Sequence, residues 1–190
     1  FAKRRIADLI DTREPQVLAG IVSDLRVING QRGRVAIFKL DDKTEPIEAV
    51  ANEDLLNANR ELLKDDELII VMGKVQPDRF SGGMRLNVQQ VWDLTAARCR
   101  FGKFLRVEVN GHAPEVDRIL KAFPAQREET EQGELVRGLG IRLSVTRKGE
   151  TGGAVAELQL SDAMRFFPTD AALAQWRAQA DQGRAAIVYE

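Results

Sequence analysis

The sequence predicts an α+β protein in two parts: a five-stranded β-barrel over residues 16–94, then a small β-α-β-β-α-β domain over residues 103–190. Three observations carry this. Apolar residues recur at alternate positions through much of the first part, the period of half-buried strands. That alternation is interrupted once by helical spacing, so that three strands precede a helix and two follow it. Past a short helical connector it resumes and is interrupted twice more.

Residues 1–15 form an N-terminal arm or short charged helix, with Lys3, Arg4 and Arg5 set against Asp8, Asp11 and Glu14, stopped by Pro15. Val17, Ala19, Ile21, Leu25 and Val27 share one parity, predicting a long half-buried strand with Gly20 as its bulge or bend. Asn29-Gly30 marks a tight turn. Strands follow over 34–40 and 45–50. Asn52 then caps a helix over 53–63 whose apolar positions are Leu55, Leu56, Leu62 and Leu63. Strands over 67–75 and 85–94 flank the loop Gln76-Pro77-Asp78-Arg79-Phe80-Ser81-Gly82-Gly83. This order is that of an OB-fold, a partly open Greek-key barrel that binds oligonucleotides across strands 2–3 and the loops joining strands 1–2 and 4–5.

Residues 95–102 are a connecting helix. In the next strand Phe104, Arg106 and Glu108 alternate with Leu105, Val107 and Val109. Pro114 opens a helix with Val116, Ile119, Leu120 and Phe123 at helical spacing. A charged loop over 127–134 leads to strands over 136–147 and 154–160. Thr169 caps a last helix through Trp176, and 185–189 is the closing strand. The order matches the split-βαβ, ferredoxin-like arrangement.

Composition narrows the function. The 28 basic and 29 acidic residues leave a net charge of −1, so no global basic field exists and any nucleic-acid contact must be local. The longest apolar run, Leu68-Ile69-Ile70-Val71-Met72, suits a buried strand and is too short to cross a membrane. Cys99 has no second cysteine to pair with, and His112 is the one histidine, so the ligands of a zinc site are missing. No cofactor or metal is expected, nor a membrane partner, and a reducing cytoplasm is the expected compartment. A first residue of Phe1 rather than Met suggests part of a longer chain.

Arg26, Arg32, Arg34 and Lys39 fall in the strand 1–2 hairpin, and Lys74, Arg79 and Arg85 in the strand 4–5 region. In an OB-fold these segments converge on one groove, where cations neutralise phosphates. The acids Glu53, Asp54, Glu61, Asp65, Asp66 and Glu67 collect in and after the helix, predicting one basic and one acidic side. Arg85, Asn87 and Gln89 oppose Leu86 and Val88 in parity and predict an exposed row; a solvated face with scattered charges explains the same pattern. Phe80 either stacks on a base, a contact of about 1–3 kcal/mol, or folds back on the barrel. Phe38 and Trp92 are assigned to the core. So few aromatic candidates predict weak, salt-sensitive, sequence-tolerant binding. In the second domain Met164, Phe166, Phe167, Leu173 and Trp176 gather around the last helix. They suit a protein-docking hot spot or the core of a small domain.

No catalytic constellation emerges. Asp41 and Asp42 are neighbours on a strand end and point to opposite faces, a poor two-metal site. Ser81-Gly82-Gly83 lacks the lysine of a phosphate-binding loop, and neither Cys99 nor His112 has a catalytic partner nearby in sequence. An autonomous enzyme is not expected.

Several segments resemble the OB-fold of the bacterial DNA polymerase III alpha subunit. They are Ala19-Gly20-Ile21-Val22 with Arg26, Leu40-Asp41-Asp42-Lys43-Thr44 with Ile47-Glu48, and Val71-Met72-Gly73-Lys74-Val75. More specific is Asp78-Arg79-Phe80-Ser81-Gly82-Gly83-Met84-Arg85 leading into Val91-Trp92-Asp93-Leu94. Phe167-Pro168-Thr169-Asp170, with its following helix and last strand, is similar to the family's tail. The resemblance implies a non-catalytic C-terminal region of the replicative polymerase, with the catalytic carboxylates, PHP domain and main clamp-binding peptide upstream. It implies that the OB-fold binds single-stranded template DNA and that the domain over 103–190 docks the tau subunit of the clamp loader, the rest of the polymerase chain being the third partner. The loop Asn29-Gly30-Gln31-Arg32-Gly33-Arg34 is less basic than the family's. Two other readings stay open: an RNA-binding OB module of a translation enzyme, and a purely structural interaction module.

Overall fold

A computed structural model describes residues 1–11, 14–30, 33–78, 82–131, 133–149 and 152–189, with the side chains of 148, 149 and 152 outside the description. The chain divides into two compact units, Phe1–Leu94 and Thr95–Glu190.

In the first unit β1 (Gln16–Gly30), β2 (Gly33–Asp41), β3 (Pro46–Ala51), β4 (Leu68–Pro77) and β5 (Met84–Trp92) close into a barrel of order β1-β2-β3-β5-β4. Only β3 and β5 run parallel. Phe38, Leu40, Ala49, Val71, Val75 and Leu86 fill the interior and are fully or almost fully buried. Each large side chain among them contributes about 1.5–3 kcal/mol. The arm expected at the N-terminus holds a 3-10 turn, Ile6–Asp8, which buries Ile6 and donates the Ile6 N–H to Asp42 at 2.8 Å.

The inward residues of β1 are Leu18, Gly20 and Val22, the parity opposite to the one expected, with Ile21 and Val27 exposed. The register shows why. Ser23 pairs with Lys39 but Arg26 with Ile37, so β1 carries one extra residue, and Asp24 there has φ 54. Such a bulge reverses parity, which brings Leu25 back against the core. Gly20 is not the bulge: a Cβ there would lie 2.8 Å from Leu40 Cγ and 2.9 Å from the Asp41 carbonyl oxygen. Asn29 and Gly30, expected as a turn, are still in the strand, pairing with Arg34 and Gly33; residues 31–32 lie outside the described residues.

α1 (Glu53–Ala58) is capped as expected, Asn52 Oδ1 accepting the Leu55 N–H at 3.0 Å. It stops short of residue 63 at Asn59, which leaves the helical region (φ −125, ψ 33) while its backbone N–H and its side-chain amide both donate to the Leu55 carbonyl, at 3.0 and 2.9 Å.

The second unit contains α2 (Leu94–Phe101, from the last residue of the first), β6 (Gly102–Asn110), α3 (Val116–Ala122), β7 (Gln126–Thr130), β8 (Gly133–Arg137), β9 (Gly140–Gly149), β10 (Gly152–Gln159), α4 (Asp170–Gln179) and β11 (Ala185–Tyr189). The expected β-α-β-β-α-β order is present, with β7 and β8 added. Its four-stranded sheet has the order β10-β9-β6-β11. β6 and β9, on either side of α3 in sequence, pair directly and in parallel, so the βαβ unit is not split, a correction to the ferredoxin-like strand order. Leu105 lies beside Ile141 and Val107 beside Leu143, which makes the two strands of this sheet that bury the most side chains central neighbours.

Residues expected as a charged loop form the β7–β8 hairpin. Its cross-strand pairs Arg127–Glu134 (2.9 Å) and Arg137–Glu128 (3.1 Å) replace the apolar alternation that marks a strand. Thr169 caps α4 as expected, its Oγ1 accepting the Ala172 N–H at 3.1 Å.

His112 links the turn after β6 to the end of α4. Its Nδ1 faces the Asn110 carbonyl oxygen at 3.2 Å and its Nε2 the Gln179 carbonyl oxygen at 2.9 Å. Only the doubly protonated ring donates to both. The Gln179 carbonyl first and the Asn110 carbonyl second therefore raise its pKa, with Asp181 adding to the effect. A raised folded-state value gives stability that is complete below the ordinary value of 6.5 and is lost as pH rises through the folded value. Thermal melts are expected to fall over that interval in the native protein, and the fall to disappear in His112→Gln.

Candidate nucleic-acid interface

The barrel's strand registers build the outer face. Arg26 on β1 pairs with Ile37 on β2, Ile37 with Val50 on β3, Val50 with Asn87 on β5 and Asn87 with Lys74 on β4. Side chains directly opposite on neighbouring strands share a face, so these five form one row around the outside. Beside it runs a second row: Lys39, Glu48, Arg85 and Gln76. Ile37, Val50 and Asn87 are half-buried.

Electrostatically this face is largely self-compensated. Arg34 Nε donates to Glu53 Oε1 at 2.8 Å and its Nη2 to Asn57 at 3.1 Å. Lys39 sits 2.7 Å from Asp24, the residue that the bulge turns outward. Arg85 meets Glu48 at 2.6 Å and the buried Asp78 at 3.3 Å. Lys39 holds the Asp24 carboxyl below its usual range, and Arg34 does the same for Glu53. Arg26 and Lys74 have no ion pair or hydrogen bond to their side chains among the described residues.

The acids are therefore not segregated to one side as the sequence suggested. Glu53 reaches from the start of α1 back to Arg34, while Asp24, Glu48 and Asp78 stand among the cations. Their roles were invisible in sequence because each pair joins residues on different elements, and the outward turn of Asp24 depends in addition on the bulge. Of the row expected from Arg85, Asn87 and Gln89, the first two belong to the face. Gln89 falls at a register shift, with Val88 paired to Gly73 and Gln90 to Met72.

Arg32, Arg79 and Phe80 lie outside the described residues. Phe38 is 1% exposed inside the barrel and Trp92 is half-buried. Asp41 and Asp42 work as turn formers: Asp41 Oδ1 accepts the Lys43 N–H at 2.6 Å, and Asp42 Oδ1 the Thr44 N–H at 3.0 Å. Among the described residues no group of three His, Cys, Asp or Glu side chains could hold a metal ion, and no helix is long and apolar enough to cross a membrane.

The proposed docking cluster separates into two sets. Phe166 and Trp176 are 0% exposed and Leu173 is 5%, so these three hold the second unit together and present no surface. Their burial follows from helical spacing: Leu173 and Trp176 lie on the side of α4 that faces the sheet. Met164 is exposed and Phe167 half-buried.

Residues 16–94 match the family described as OB-fold nucleic acid binding domain (tRNA_anti-codon). Over 171 residues, 90% of its length, the chain is 31% identical to DNA polymerase III subunit alpha of Pseudomonas aeruginosa. Over 180 residues, 94% of its length, it is 29% identical to the same subunit of Pseudomonas fluorescens. In both cases it spans 14% of the relative's length. Among solved structures, the second OB-fold domain of replication protein A from Methanococcus maripaludis has a TM-score of 0.38 and 17% identity, over 48% of this chain and 93% of that one.

Proposed function

The chain belongs to the DNA polymerase III alpha subunit family, with an OB-fold nucleic acid binding domain at residues 16–94, and on that premise we propose that it is a non-catalytic module of the replicative polymerase that binds single-stranded DNA along the outer face of the barrel. The observation that carries this reading is the continuous row from Arg26 through half-buried Ile37, Val50 and Asn87 to Lys74, whose two terminal cations have no side-chain ion pair or hydrogen bond among the described residues. Arg32 and Arg79, outside the described residues, are our further candidates for phosphate contacts, and Phe80 for base stacking. No cofactor takes part, and the work is done in the cytoplasm. Family membership favours this over an RNA-binding module of a translation enzyme.

Because Arg34, Lys39 and Arg85 are already paired, the affinity is low and salt-sensitive. Each neutralised phosphate adds about 0.7 to the slope of log affinity against log salt, so Arg26 and Lys74 account for about 1.4 of it. Anisotropy of a labelled oligothymidylate is expected to give a measurable affinity at low salt. The Arg26→Ala/Lys74→Ala variant is expected to bind more weakly and with a slope flatter by that amount. Binding that is undetectable at low salt, or unchanged in the variant, overturns the reading.

The second unit docks the tau subunit of the clamp loader. This rests on family membership and on the apolar side chains the unit leaves exposed. It has to be tested on the intact chain, since deletion from Arg165 onward removes Phe166 and Trp176 from the core. Tau binding by the chain supports the reading, and its absence overturns it.

A further inference from the structure

Strand β10 is an edge of the second unit's sheet. It pairs with β9 over eight consecutive residues, from Gly152↔Gly149 to Gln159↔Arg142, without a register shift, and among the described residues no strand takes its other side. Alternate residues therefore direct their N–H and C=O groups outward, away from β9. Every described side chain from Gly153 to Gln159 is exposed, Val155 by 70% and Leu158 by 52%. Proteins usually guard such edges with lysines, prolines, bulges or short strands. β11, the other edge, is five residues long and irregular at Val188/Tyr189. β10 has no proline and no bulge, and its one charge, Glu157, is turned along the sheet towards Arg106 (3.9 Å) and Arg142 (3.8 Å).

The side chains define what fits. Leu158 lies opposite Leu143, which is opposite Val107, so Ala154, Ala156 and Leu158 continue the core face beyond where it is covered. An added strand would lay alternate apolar residues beside them. On the other face two guanidiniums share the single Glu157 carboxylate. Arg142 is held there by the Phe104 ring, 4.0 Å from its centroid, and by Gln159 at 3.0 Å. Glu108, beside Ser144 on the same face, is itself paired with Arg184 at 3.0 Å, so among the described residues Arg106 and Arg142 have the one Glu157 carboxylate between them and accept a second.

We propose that β10 is a strand-addition site, taking an extended segment of a partner protein with alternating apolar side chains on one face and a carboxylate on the other. This rests on the reading that the second unit docks tau, and names the surface and the mode.

The test uses the whole chain, purified tau, and a Val155→Lys/Leu158→Lys variant, whose two sites are exposed enough to leave the fold intact; its thermal melt checks that. Amide exchange in residues 153–159 is expected to slow at alternate positions when tau is added, and the variant to lose tenfold or more in affinity. If tau binds while β10 exchange and the variant's affinity stay unchanged, strand addition is overturned and the docking reading stands. If tau does not bind the native chain, both fall. A concentration-dependent dimer of the native chain that the variant lacks would make the occupant a second copy, overturning the partner assignment.

Discussion

Trp176→Ala is expected to destabilise the second unit by about 3–5 kcal/mol, the cost of emptying a large aromatic site in a packed core. Trp176 is 0% exposed and meets Phe166 edge-on, with centroids 5.8 Å apart and planes at 64°. Such a ring pair adds about 0.5–1.5 kcal/mol beyond the area it buries. Phe166 in turn bridges to both Pro124 and Leu139, so a cavity at Trp176 loosens the attachment of the segment that leads into α4. A domain has only about 5–15 kcal/mol of net stability, so this one change removes a large part of it. Trp176→Phe is expected to cost much less, because among the described residues the buried indole N–H has no hydrogen-bond partner and its removal strands no acceptor there. Urea unfolding followed by far-UV circular dichroism checks both variants. A Trp176→Ala protein as stable as the native one would mean that the residue is not part of the core.

Gly73→Ala is expected to cost about 3 kcal/mol, at the upper end for overpacking, and to reduce single-strand binding more than Lys74→Ala does. A Cβ at residue 73 would lie 2.3 Å from the Asn87 carbonyl oxygen and 2.9 Å from its carbon. Those are backbone atoms, so no rotamer change relieves the clash and the β4–β5 ladder has to shift. The same ladder places Lys74 beside Asn87 and Gln76 beside Arg85, and its register already changes between Met72 and Gly73. Stability and binding should therefore fall together. Urea midpoints and oligothymidylate anisotropy on one preparation check this. Unchanged binding with a lowered midpoint would place the DNA contacts away from β4 and β5.

Much of the fold is legible from local chemistry. Alternation located all five barrel strands to within a few residues, and Asn52 and Thr169 mark their helices because a short polar side chain before an apolar helical run satisfies an exposed N–H at little cost. Other features have no local signal. The strand β7 consists of Gln126 to Thr130, all exposed, and becomes a strand only because Arg127 and Glu128 find Glu134 and Arg137 across the hairpin. The inward parity of β1 is set by one extra residue, which becomes visible only once β2 supplies a register to count against.

The same division runs through the candidate site. The sequence alone determined that the chain has no net field for a nucleic acid, that its cations fall in the strand 1–2 hairpin and the strand 4–5 region, and that the barrel has OB-fold order. Those follow from residue identity and spacing along one chain. Tertiary structure decided which cations are spent. Arg34 meets Glu53, Lys39 meets Asp24 and Arg85 meets Glu48, while Arg26 and Lys74 are left at the two ends of the outer row. It also decided that Phe166, Leu173 and Trp176 are core and that β10 is an open edge. An ion pair, a buried ring and an unpaired strand edge each depend on what the fold brings alongside, and periodicity specifies which face of an element is apolar without specifying its neighbour.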